Sequence, residues 1–161
     1  MIAFTSLACH VCNTFHQETF RKMKSSPLYT NGDLRIIFVE YPADRISFFA
    51  SGHVWASKNP QHARDLLMHK QSEWNFCDTQ DSLEKLEAKK LEKVKNILKN
   101  HDTLSKKELT ELFEKKMQAQ KIFGIADVPF FVLHIPGNSV GKRIKTRIGD
   151  MSWETFYAWL K

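Results

Sequence analysis

The sequence predicts an α/β chain with a helical block set between its strands, and three observations carry this. Apolar, β-like runs stand near both ends, at residues 1–8, 34–41 and 128–135, while the long middle reads as helix. The first run ends on Cys9-His10-Val11-Cys12 and passes straight into helical spacing. The length, 161 residues, suits one domain or one domain carrying an insertion, and buries enough surface to fold without stapling disulfides.

Taken in order, residues 1–8 suit a buried strand that delivers the cysteine pair to its end. Val11, Cys12, Phe15, Thr19 and Met23 then recur at helical spacing until Ser25-Ser26-Pro27 breaks the pattern. Asn31-Gly32-Asp33 is a turn signal, and residues 34–41, β-branched and aromatic and ended by Pro42, predict a second strand. A helical connection between the two strands predicts a parallel pair with a right-handed crossover.

Phe48, Phe49, Val54 and Trp55 predict a helix that ends near Pro60, and Ala63, Leu66, Leu67 and Trp74 a second. Asp81 with Glu84 opens a third as a capping box, and Asn100-His101-Asp102 closes it. Ser105 with Glu108 opens a fourth, with Leu109, Leu112, Phe113 and Met117 expected inward and Gly124 as its stop. The pattern returns to β at residues 128–135, where Pro129 stands near the start and a missing ladder donor is tolerated. Pro136-Gly137-Asn138 turns the chain, residues 142–148 read as a half-exposed strand, and Gly149-Asp150 turns it again. A last helix from Ser152 is expected to bury Phe156, Trp159 and Leu160.

A hydrophobic content of 42% with 26% charged residues excludes a disordered or collagen-like chain, and no apolar run approaches a membrane span. Residues 1–161 hold no signal peptide pattern, so the expectation is a chain without one. The net charge of +6 is spread among interleaved Glu and Asp rather than gathered in blocks, which reads as a solvated basic surface and not as a nucleic-acid interface.

The chemistry concentrates at the cysteine pair. Two sulfurs on the first turn of a helix meet unsatisfied N–H groups and the positive end of the dipole, which favour a thiolate at Cys9. Cys12, one turn on, is placed to resolve a mixed disulfide formed at Cys9. His10 and Val11 sit beside the first sulfur and tune it in opposite senses, a protonated histidine holding a thiolate and valine drying its surroundings. Half a metal site is the competing reading, since Cys9, Cys12 and His16 offer three ligands. Structural zinc wants four, and Cys77 stands alone in a helical stretch where a cysteine usually serves as a small buried hydrophobe. The expectation is no metal and no cofactor beyond a redox-active Cys9–Cys12 disulfide.

With both ends of the β pattern placed, the chain resembles the DsbA-like thiol-disulfide oxidoreductases of the thioredoxin superfamily. The matching pieces are residues 4–15 around the cysteine pair, residues 35–42, the helical block, and Phe123-Gly124-Ile125-Ala126-Asp127-Val128-Pro129-Phe130-Phe131-Val132. The resemblance implies a thioredoxin fold (β-α-β, helical insertion, β-β-α) in residues 1–45 and 124–161, with an inserted all-helical subdomain at 46–123. It implies that Pro129 follows a cis peptide bond and faces Cys9 and Cys12, and that the backbone of Val128 pairs with an extended substrate segment. Phe48, Phe49, Trp55 and Trp74 are candidates for an apolar substrate groove or for core.

The resemblance further implies exchange of a Cys9–Cys12 disulfide with unfolded or cysteine-containing protein substrates, as a dithiol oxidase, with a redox partner protein, in the bacterial periplasm or cell envelope. Neither nucleic acid nor stable membrane insertion is expected. An isomerase or reductase is the same-class alternative, and a non-catalytic thioredoxin-like module docking a partner through residues 81–123 is the alternative from another class. Cys9 and Cys12 argue against a kappa-class glutathione transferase relative. Two departures stand out. His10 precedes Val11 where the best-known members have proline and then histidine, and the family's first-strand acid falls at Ala3. The start of the chain, close to that strand and without the preceding strand of larger members, leads to the expectation of a reduced or truncated version of the family.

Overall fold

A computed structural model of the chain describes residues 1–77, 79–99, 102–135, 143–149 and 152–160. Four strands, β1 (Ile2–Thr5), β2 (Ile37–Glu40), β3 (Phe130–Ile135) and β4 (Arg143–Ile148), form one sheet in the order β2-β1-β3-β4. β1 pairs in parallel with β2, with Thr5 opposite Glu40, and β3 runs antiparallel to both β1 and β4. This is the expected succession of strand, helix, strand, helical block, strand, strand, helix.

The first helix begins as α1 (His10–Thr14), widens into a π-helical stretch (Phe15–Phe20) and closes as α2 (Arg21–Lys24). The wider turn brings Phe15, His16, Thr19 and Phe20 all inward, a broader face than straight 3.6-residue spacing presents. A short α3 (Pro27–Thr30) follows where the sequence suggested only a break, because Pro27 occupies the first helical position, where its missing N–H costs nothing. Leu34 then bonds back to Leu28, so β2 starts later than the apolar run does.

Between β2 and β3 stand α4 (Arg45–Trp55), α5 (Pro60–His69), α6 (Gln71–Trp74), α7 (Leu83–Leu98) and α8 (Lys106–Phe123). α4 opens on a capping box that sequence reading missed, with Asp44 accepting the Ser47 N–H at 2.7 Å and Ser47 accepting that of Asp44 at 3.2 Å. The predicted 63–74 helix is two helices, interrupted at Lys70, whose backbone leaves the helical region. The Asp81–Glu84 box is not formed. Ser82 is the N-cap of α7, which places Asp81 outside the helix, where it pairs with Lys89. The Ser105–Glu108 box does form, and Gly124 ends α8 with φ of +63°, where a side chain is strained.

Phe113 and Met117 of α8 are half exposed rather than inward. The partly buried seam of this helix runs through residues 109, 112, 116, 119 and 123, so Leu109 and Leu112 face in as expected and the seam passes one position to the side of Phe113 and Met117. Close approach of α8 to α4 depends on Gly52, where a Cβ would lie 2.9 Å from Thr103 Oγ1 and 3.0 Å from Leu109 Cδ2. The final helix, α9 (Trp153–Leu160), buries Phe156 and only partly covers Trp159 and Leu160. The expected features at Asn100-His101, Pro136-Gly137-Asn138, Lys142 and Asp150 lie outside the described residues.

Alternate strand residues feed two apolar clusters, one on each face. Ala3, Phe15, Phe20, Phe131 and Phe156 fill one, with the Phe15 and Phe131 rings 4.6 Å apart. Phe4, Phe130 and Val132 open the other, which continues through Leu67, Met68, Trp74 and Val94 and includes Cys12. The helical block and the sheet therefore share a core, and the cysteine pair sits where they meet.

Candidate redox site

β1 ends at Thr5, and a turn closed by the Cys9 N–H on the Ser6 carbonyl at 3.2 Å delivers Cys9 to the N-cap of α1. The Cys9 sulfur does what a capping oxygen does elsewhere. It accepts the Cys12 N–H at 3.1 Å and so satisfies one of the orphan donors of the helix. A hydrogen bond from the Cys12 thiol, together with the Cys12 and Val11 backbone groups, brings the Cys9 thiol down from 9.0 to about 7, against the opposing effects of burial and of Asp127. Both cysteines are free thiols.

Cys12 is the opposite case. Its side chain is sealed from solvent, and burial first, then the neighbouring Cys9, push its thiol far up, against a weaker pull from the Ser6 N–H and Arg64. One sulfur is thus accessible and acidified while its neighbour is buried and protonated.

The strand start at residues 128–130 completes the site. The Cys9 thiol donates to the Val128 carbonyl at 3.5 Å across 119 residues of sequence, and the Val128–Pro129 peptide is cis. The Val128 N–H is held by the Asp127 carboxylate at 2.7 Å. His10 and Val11 are exposed next to Cys9.

His16 does not join the cysteines. Its Nε2 lies 3.0 Å from Asp65, and burial lowers its pKa, which favours a neutral ring that donates to that carboxylate. The described residues contain no group of three His, Cys, Asp or Glu side chains placed to hold a metal. Cys77 follows α6 outside any helix or strand and is exposed, not a buried apolar filler.

Trp74 is completely buried, with its indole N–H on the Leu67 carbonyl at 2.9 Å, and belongs to the core. Of the four aromatics considered for a groove, only Trp55 lines the apolar cavity of about 550 Å³ between β2 and α8, and no cysteine borders it.

Sequence reading missed a buried polar cluster centred on Arg64, a charge that acts on the Cys12 thiol. Glu40 and Arg64 are buried and paired at 2.9 Å, with Arg64 donating also to Thr5 at 2.6 Å and Ser51 to Glu40 at 3.4 Å. Burial raises the Glu40 pKa, opposed by Arg64 and Ser51. Ala3, where the family's acid falls, lies wholly inside the Phe15–Phe131–Phe156 cluster. A buried acid is nonetheless present two positions along the same face, on the neighbouring strand. A lone Glu inside the β-branched run at residues 34–41 was the available signal.

The family model for thioredoxin matches residues 1–160. The chain belongs to the thioredoxin family. Among solved structures, alpha-DsbA1 of Wolbachia pipientis superposes on this thioredoxin-family protein with a TM-score of 0.70 at 21% identity, covering 99% of this chain and 82% of that one. Two variants of the same protein superpose at 0.68 with the same identity and coverage. No curated protein gives a significant match. The thioredoxin-family fold here is accordingly DsbA-like, and membership and fold together support thiol-disulfide oxidoreductase chemistry in general. Among the described residues no helix is long and apolar enough to cross a membrane.

Proposed function

We propose that this protein is a thiol-disulfide oxidoreductase that uses a Cys9–Cys12 disulfide to oxidise dithiols in cysteine-containing proteins. The observation that carries the reading is the asymmetry of the pair, with Cys9 accessible and lowered to about 7 while Cys12 is sealed and raised. In the forward direction a substrate thiolate attacks Cys9 Sγ, the Cys9–Cys12 bond breaks, and Cys12 leaves and takes up a proton. The second substrate thiolate then attacks the substrate sulfur of the mixed disulfide and releases Cys9 as a thiolate. The substrate loses two electrons, which the dithiol passes to a redox partner protein.

Val128 supports substrate alignment. Its carbonyl already faces Cys9, and an extended segment that pairs with this backbone brings its own cysteine to the same sulfur. Pairing at the Val128 N–H displaces the Asp127 carboxylate, which otherwise opposes the thiolate. Recognition through backbone suits a broad range of unfolded substrates. The family resemblance supports the bacterial periplasm or cell envelope as the setting of such an activity.

A value near 7 for Cys9 also favours a second reading, because strongly oxidising couples hold their exposed thiolate at far lower pKa. On that reading the couple is mild and the protein reduces or isomerises disulfides. Equilibration with glutathione buffers separates the two, an oxidase lying well above the glutathione potential and a reductase below it. Cys9→Ser is expected to abolish catalysed exchange with a cysteine peptide, and full retained activity would overturn Cys9 as the nucleophile.

A further inference from the structure

We infer that Gln71 and Asn75, on the helical block, are positioning residues for the Cys9 sulfur. They capture three successive carbonyls of the loop that delivers it. This rests on the oxidoreductase reading above. The Gln71 side-chain amide is buried and spends both protons on the loop, donating to Leu7 O at 2.6 Å and to Cys9 O at 3.0 Å. Asn75 donates to the carbonyl between them, Ala8 O, at 2.8 Å.

The two donors are tied to each other and to the block. Asn75 caps α6 by donating its N–H to Gln71 O at 2.8 Å, which sets the two side chains one turn apart. Lys90 of α7 donates to Asn75 Oδ1 at 3.1 Å. An ammonium has only donors, so this contact assigns the oxygen to the Lys90 side and directs the Asn75 NH₂ at Ala8.

The consequence for the sulfur is electrostatic. The Cys9 thiolate is held by the Cys12 thiol and by N–H groups at the start of α1, and a loop carbonyl turned toward it would oppose that charge. With Leu7, Ala8 and Cys9 carbonyls all engaged by the block, the loop cannot rotate one of them toward the sulfur without leaving a donor or an acceptor unpaired, at Leu7 and Gln71 in a buried position. Gln71 and Asn75 touch no reacting atom, so they act through the loop.

The test is Gln71→Leu, which keeps the volume and removes both donors. The Cys9 titration, followed by thiolate absorbance, should move upward from about 7. The glutathione equilibrium at pH 8 should then shift about threefold toward the disulfide form, with little change at pH 6, where Cys9 is protonated in either protein. A merely structural contribution moves both pH values alike. An unmoved titration, or an equal shift at both pH values, overturns the positioning role. Asn75→Ala, at a half-buried position, carries the same test with a smaller effect if Gln71→Leu does not fold. If Cys9 in the unsubstituted protein titrates as an ordinary thiol, the oxidoreductase reading falls and this inference with it. If it titrates near 7 and the variants do not move it, only the inference falls.

Discussion

The two sulfurs differ by about one helical turn in sequence and by much more in environment. Cys9 borrows its acidity from groups that a single turn supplies, the Cys12 thiol first and the N–H donors of Cys12 and Val11 after it. Those N–H donors belong to the helix start and survive replacement of the Cys12 side chain. Cys12→Ala therefore separates the two contributions. The Cys9 midpoint, read from the pH dependence of alkylation, is expected to rise from about 7 toward 9.0 without reaching it. A midpoint unchanged by the substitution would show that the helix start alone acidifies the thiol. His10 is exposed beside this site, immediately before Val11.

At the scale of elements, β2 and α5 carry the only buried carboxylate–guanidinium pair among the described residues. Glu40 and Arg64 are both almost completely buried, and Arg64 also lies over the Phe38 ring at 4.1 Å. A pair so placed is costly to break and cheap to replace as a whole, because removing one partner strands the other charge in a dry core. Arg64→Met alone is expected to cost about 3–5 kcal/mol in urea unfolding, and adding Glu40→Gln to it should recover a large part of that loss. A double variant no more stable than Arg64→Met would contradict the stranded charge as the cause. The same pair bears on the redox site, since Arg64 is among the charges that pull the Cys12 thiol down.

For the whole molecule, the apolar cluster that contains Cys12 runs without a break from the sheet into the helical block. Trp74 is its largest fully buried member, and it lies on the same short helix as Gln71. Trp74→Ala should therefore loosen sheet and block together. The expected cost is about 3–5 kcal/mol. Unfolding should remain a single transition by far-UV circular dichroism and by fluorescence of the remaining tryptophans. Two separated transitions would mean that the block and the sheet fold as independent units.

Much of this was legible in the residues themselves. Strand, helix and block followed from hydrophobic spacing, and the cysteine pair at a strand-to-helix junction followed from Cys9-His10-Val11-Cys12, because both depend on neighbours within a few positions. Spacing failed where a helix packs on one narrow seam, as with Phe113 and Met117 of α8, since one residue of phase decides which side faces in. It also failed to find Glu40 with Arg64, or Gln71 and Asn75 with residues 7–9, because hydrogen-bond partners that lie 24 or more residues apart leave no local period. The sequence by itself determined that two sulfurs would meet on the first turn of a helix. Tertiary structure alone decided that one of them is open beside Val128 and the other sealed, because solvent access and the direction of distant carbonyls are set only when the sheet and the helical block close on each other.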